Sequence, residues 1–187
     1  MPRTWFAVFA GFFGMVLSLC GAVGASAAKT PDRPGHTVPQ VDLERYMGKW
    51  YEIASFPNWF QRGCCCTTAD YRMLGDAVEV TNTCRKGSPA GSLDVASGRA
   101  YTVEGSGNAQ LKVQFLWPFK GDYWIIALGD HYEFAVVGHP RRKYLWILSR
   151  SPQMDEDVYQ GLVSGARAKG YDVDRLRKTD QSCHEAP

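Results

Sequence analysis

Two stretches almost a hundred residues apart constrain what this chain can fold into: Gly48-Lys49-Trp50-Tyr51-Glu52-Ile53 and Leu145-Trp146-Ile147-Leu148-Ser149-Arg150. Between them the sequence is strand-like throughout. A Gly-x-Trp at the head of the first strand and an arginine just past the last suit a closed barrel. There the indole of Trp50 plugs one end and the Arg150 guanidinium stacks over its face, a cation–π contact worth ~1–2 kcal/mol when partly desolvated. A plug at one end leaves the other open. That shape is a cup for a small apolar molecule rather than an enzyme cleft.

The chain between the two stretches is punctuated every eight to twelve residues, as in up-and-down β proteins. Strands are predicted at about 49–56, 66–74, 77–84, 98–104, 110–117, 122–129, 132–138 and 143–149. Leu74-Gly75-Asp76-Ala77 and Leu128-Gly129-Asp130-His131 are tight hairpin signals, and Arg85 to Ser97 reads as a longer Gly/Ser/Pro loop. Short connections favour sequential antiparallel neighbours. The expected fold is all-β: an eight-stranded antiparallel up-and-down barrel with one C-terminal helix packed outside.

The helix follows from the last strand, which is apolar on both faces: Tyr144, Trp146 and Leu148 on one, Leu145 and Ile147 on the other. Such a strand must be covered on both sides. Asp155 to Lys169 supplies the cover, with Val158, Leu162, Val163 and Ala166 at helical spacing, acidic residues in the first turn and Gly170 beyond the end. The helix claims Leu145 and Ile147, leaving Trp146 and Leu148 for the interior. In Leu111 to Trp117 the odd positions are apolar and two of the three even ones polar, so Val113 and Phe115 share the inward face.

Residues 1–28 carry one charge, Arg3, followed by an apolar run from Trp5 to Leu19 and small residues through Ala25-Ser26-Ala27-Ala28. This pattern reads as a secretory signal peptide, too short and glycine-interrupted for a membrane span. Residues 29–40 form a Pro-rich, flexible leader and 41–187 one domain. A lipoprotein signal needs a small residue before its acylated cysteine, and Leu19 before Cys20 matches that poorly. A soluble periplasmic product is expected, with an outer-membrane anchor through Cys20 as the alternative. Basic residues (21) and acidic residues (19) nearly cancel, and no basic run exceeds Arg141-Arg142-Lys143. Nucleic acid is therefore not an expected partner.

Export changes the meaning of Cys64, Cys65, Cys66, Cys84 and Cys183, because disulfides persist in an oxidising compartment. Their number is odd, so one thiol is left over. Three consecutive cysteines lack the two-residue gap that wraps a tetrahedral ion, so no metal site is expected.

Taken in order, several motifs resemble the lipocalins, within them the branch of bacterial outer-membrane lipocalins (Blc-type) and apolipoprotein D. They are Gly48 to Ala54, Phe60-Gln61-Arg62-Gly63, Thr68-Ala69-Asp70-Tyr71, Leu111-Lys112-Val113, Tyr123 to Leu128, and Tyr144 to Pro152. The resemblance spans about Val41 to Cys183. It implies carriage or storage of lipids such as fatty acids or lysophospholipids in the cell envelope, without catalysis and without a cofactor. It also implies a Cys66–Cys183 disulfide tying the tail across the outside of the barrel. For Cys84, flat alternation points to Cys65 and the resemblance to Cys64, with Gly63 a place for a register-shifting bulge. The family's middle signature stands here as Gly129-Asp130-His131-Tyr132, which leaves the shape of that hairpin open.

Parity and resemblance together place Tyr71, Val80, Asn82, Phe115, Tyr123, Trp146 and Leu148 at the ligand, and Gly48, Trp50 and Arg150 in the structural plug. Two rivals are a haem or pigment binder with His131 or a tyrosine as axial ligand, and an enzyme using the spare thiol as nucleophile. Contact with a membrane surface and a homodimer stay open.

Overall fold

A computed structural model of the chain describes residues 36–184. Residues 1–28, expected to be a signal peptide and containing Cys20, residues 29–35 of the expected leader, and residues 185–187 lie outside the described residues. A short helix, α1 (Leu43–Tyr46), precedes eight antiparallel strands: β1 (Gly48–Ser55), β2 (Cys64–Leu74), β3 (Ala77–Lys86), β4 (Leu93–Thr102), β5 (Gln110–Leu116), β6 (Phe119–Leu128), β7 (Phe134–Gly138) and β8 (Leu145–Ser149). Each pairs with the next, and β1 pairs with both β8 and β2, which closes the barrel. Helix α2 (Glu156–Ala168) and a two-residue strand, β9 (Arg177–Lys178), follow, with β9 added to β1.

Two differences from the expected strands have local causes. Residues 93–97, expected in a loop, extend β4: Arg85 pairs with Leu93 and Cys84 with Asp94, leaving only a turn at residues 87–92. Leu93 and Val95 remain exposed, so this hairpin arm has no buried face whose contrast would mark it as strand. The connection after β6 is a five-residue loop, not a tight hairpin. It closes through Gly129 N–H to Phe134 O (3.0 Å) and Tyr132 N–H to Gly129 O (2.9 Å), with Tyr132 at φ 63°.

The strand wall separates two apolar cores. The inner one includes Trp50, Tyr71, Val78, Val80, Leu111, Ile125, Val137 and Leu148. The outer one puts Leu145, Ile147, Trp124 and Val136 beneath α2 and the segment after it. Asp155 caps α2, its side chain accepting from the Asp157 and Val158 amides, and Glu156 and Asp157 fill the first turn. The buried face differs by one residue from the expected one: Val158 is exposed and Tyr159 buried. Tyr159, Leu162, Val163 and Ala166 follow i, i+3, i+4, i+7, the true helical stripe, whereas starting at Val158 drifts off it.

Past α2 the chain returns along β1 as a strap. Thr179 N–H donates to Ile53 O (2.9 Å), Cys66 N–H donates to Asp180 O (2.7 Å), and the Gln181 side-chain amide donates to Glu52 O and Thr67 O. It fills the gap where β1 and β2 part beyond their Tyr51–Thr68 pair. At the other end of the chain, Val38 N–H donates to Ile125 O (2.9 Å). No helix among the described residues is long and apolar enough to cross a membrane.

Candidate ligand-binding site

The closed end is built from α1 upward. Asp42 caps α1 through the Glu44 and Arg45 amides, and Gly48 turns the chain into β1 at φ 87°, a backbone state that costs glycine little. Trp50 is fully buried and donates from Nε1 to Tyr46 O at 2.9 Å. The Arg150 guanidinium lies 3.8 Å over its ring. Its nitrogens donate to Lys49 O (2.8 Å), Arg45 O (2.8 Å) and Tyr132 O (3.3 Å), tying together three chain segments.

Above this plug, three tyrosine hydroxyls form a chain inside the barrel: Tyr123 lies 2.8 Å from Tyr46 and 2.9 Å from Tyr71. Burial raises all three phenols, Tyr71 to about 12, so the chain is neutral and satisfied at ordinary pH. Tyr46 was not singled out from sequence because it precedes the first strand, where strand parity says nothing.

Of the other residues expected at the ligand, Val80 and Leu148 are in the inner core, with Trp146 partly buried against it. Asn82 falls on Val80's face, two residues along an unshifted β3–β4 register. Phe115 departs from expectation: a register shift follows Val113 in β5, and Phe115 is 46% exposed. Its ring still covers Gly98, where any added Cβ would lie 2.8 Å from it. Phe115 thus belongs to the mouth and not to the enclosed part. His131 is exposed in the loop at the plugged end, away from the interior, which leaves the haem reading without its histidine.

Trp146 shares the inward face of β8 with Leu148 and lies one step further from the plug. Its ring neighbours Tyr144 and Phe60, and its Nε1 donates to Gln61 Oε1 at 3.0 Å. Gln61 Nε2 in turn donates to Glu52 Oε2 (2.7 Å), while Ser55 (3.0 Å) and Thr179 (2.6 Å) donate to Oε1. Burial pushes the Glu52 carboxyl up, against the pull of these hydrogen bonds. This network links the loop after β1, the strap and the lumen, and neither Glu52 nor Gln61 was expected as a site residue. The available signal was Glu52 sharing Trp50's parity, a polar group aimed at an apolar interior. A cavity of about 450 Å³ adjoins the network, bounded by Glu52, Asn58, Trp59, Gln61, Arg62 and Arg177 among others.

Cys64 is bonded to Cys84 and Cys66 to Cys183. The register shift falls between Cys65 and Thr68, with Cys66 at φ 53°, so the bulge lies inside β2 and not ahead of it at Gly63. Cys65 is the free thiol among the described residues; burial and Asp180 push its pKa up, and it contacts Arg85 O at 3.5 Å. His184 lies near Cys66 and Cys183, but their shared bond removes both sulfurs as metal ligands.

Residues 41–181 match the family model for a lipocalin-like domain. This chain belongs to the lipocalin family. Temperature-induced lipocalin-1 of Arabidopsis thaliana is 40% identical to it over 82% of this chain and 86% of that protein. Outer membrane lipoprotein Blc of Escherichia coli is 39% identical over 82% and 87%, and mouse apolipoprotein D 31% identical over 75% and 77%. Among solved structures, insecticyanin from the tobacco hornworm Manduca sexta superposes with a TM-score of 0.65 at 19% identity, covering 82% of this lipocalin and 88% of insecticyanin, which supports the barrel alone.

Proposed function

We propose that this lipocalin binds one fatty acid or lysophospholipid at a time and stores or carries it in the cell envelope, without chemical conversion. The observation that carries the reading is the apolar barrel interior: Val78, Val80, Leu111 and Leu148 line it, the neutral tyrosine chain lies above the plug, and Trp146 stands on the inward face of β8 towards the other end. A sixteen-carbon chain burying most of its methylenes at ~0.8 kcal/mol each gains on the order of 10 kcal/mol, ahead of association costs of ~4 kcal/mol or more. Micromolar affinity then needs few polar contacts. The non-catalytic reading is supported by Cys65, whose thiol is held protonated and is thus a weak nucleophile.

Likeness to lipoproteins named for the outer membrane supports export, either to the periplasm or to that membrane through Cys20. Exposed apolar side chains stand on two connections at the open end, Trp59 after β1 and Leu116, Trp117 and Phe119 at the β5–β6 turn. Such a concentration suits contact with a lipid surface.

Titration of fatty acids and lysophospholipids into wild type and Trp146→Ala tests the reading. Saturable binding, weakened in the variant by roughly 1–3 kcal/mol, is expected from the loss of one buried aromatic contact. An unchanged Kd in the variant would move the pocket elsewhere, and no lipid bound by wild type would end the lipid-carrier reading.

A further inference from the structure

We infer that the cavity beneath the loop after β1 is a subsite for the phosphate of a lysophospholipid head group, held by Arg62 and Arg177 while the acyl chain runs past Trp146 into the barrel. The inference rests on the lipid-binding reading and adds a charged anchor to it.

Continuity with the lumen comes first. Ser55 pairs with Trp146 on β8 and with Arg177 on β9, so all three stand at one level of the wall and share a face of the sheet. Gln61, in the cavity wall, also accepts the Trp146 indole N–H. A molecule whose chain lies against that indole therefore has its head beside the cavity.

The free donors decide what head it takes. Glu52 is the one carboxylate lining the cavity; it is 5% exposed, and both its oxygens already accept hydrogen bonds from Ser55, Gln61 and Thr179. The amides are committed as well: Asn58 Nδ2 donates to Phe56 O and Gln61 Oε1, and Gln61 Nε2 to Glu52. Arg177 spends Nη1 on Asp174 O and Leu176 O, with no hydrogen bond drawn from its Nε or Nη2. Among the described residues Arg62 makes no hydrogen bond, and neither arginine forms an ion pair. Among the described residues the unused donors are thus guanidinium N–H groups of Arg62 and Arg177, two exposed residues of the cavity rim, whose one lining carboxylate is already occupied by its own donors. Planar guanidinium forks match the tetrahedral oxygens of phosphate and give little to an uncharged glycerol. A volume of about 450 Å³ admits such a head, and Phe56, Pro57 and Trp59 supply apolar wall for its carbon atoms.

The test titrates 1-palmitoyl lysophosphatidate, 1-monopalmitoylglycerol and inorganic phosphate into the full chain as wild type, Arg62→Gln, Arg62→Gln/Arg177→Gln and Trp146→Ala. In wild type the phosphate-bearing lipid is expected to bind at least about tenfold more tightly than the glyceride, in line with charge-assisted bonds. The double variant erases that gap with glyceride affinity unchanged. Arg62→Gln, which removes no hydrogen bond or ion pair found among the described residues, narrows it in the same direction. Trp146→Ala weakens both lipids alike and keeps the gap. Equal affinities in wild type, or a gap that survives the double variant, would overturn the subsite while leaving lipid carriage intact. Inorganic phosphate binding as tightly as the lysolipid would replace the head-group assignment by a free-anion site. Failure of both lipids to bind wild type would remove the underlying reading as well.

Discussion

Arg150 engages three backbone carbonyls and one indole face at once, so its planarity matters as much as its charge. Arg150→Lys keeps the charge and loses the fork; stability should fall by about 1–3 kcal/mol, seen as a lower urea midpoint, with lipid affinity unchanged. Trp50→Ala, at a fully buried position, should cost about 3–5 kcal/mol. Abolished lipid binding with unchanged melting in Arg150→Lys would refute the plug. Glu52 sets a pH dependence whose sign follows from its environment. Burial raises its folded-state pKa above the ordinary 4.5, so the folded state holds this proton more tightly than the unfolded chain. The associated stability is fully present below about 4.5 and is lost as pH rises through the folded-state value. Urea titrations across that window should show the decline in wild type, and it should vanish in Glu52→Gln. An identical slope in the variant would assign the effect to another group.

The element with the longest reach is the strap, which bonds to both β1 and β2 and carries Cys183 to Cys66 across 117 residues of chain. Cys183→Ser should lower stability by about 2–4 kcal/mol, since the unfolded chain regains the freedom that the closed loop removed. Alkylation of the native protein followed by peptide mapping should label Cys65 and spare Cys64, Cys66, Cys84 and Cys183. A labelled Cys183 would contradict the strap. Most elements were legible in the sequence where one face is buried and the other wet, as in Leu111-Lys112-Val113 ahead of the register shift in β5. Residues 93–97 were not, because both faces of that arm meet solvent or small neighbours. The phase of α2 was missed by one residue because Tyr159, polar at one tip, buries its ring, while Val158 does not.

For the molecule as a whole, the open end is both entrance and membrane-facing surface in the proposed function. Leu116→Ser/Trp117→Ser changes two side chains that are 70% and 83% exposed, so the fold should tolerate it. Binding to lipid vesicles should fall at least about thirtyfold, since two exposed apolar side chains are removed and each, moved out of water, contributes on the order of 1–3 kcal/mol. Affinity for monomeric lipid should stay the same; co-sedimentation that remains unaltered would detach the rim from membrane contact. The barrel, its plug and the outside helix were determined by sequence alone, because alternation, turn residues and a doubly apolar last strand are local patterns with one global solution. The assignment of Tyr71, Tyr123 and Trp146 to the inward face came from parity together with family likeness. Only the tertiary structure decided that Tyr46 completes the tyrosine chain, that Phe115 belongs to the mouth, and that Glu52, Gln61 and Thr179 meet beside the cavity that Arg62 and Arg177 also line. Each of these depends on a bulge, a loop or a strap that brings together residues up to 127 positions apart, and spacing along the chain carries no record of such meetings.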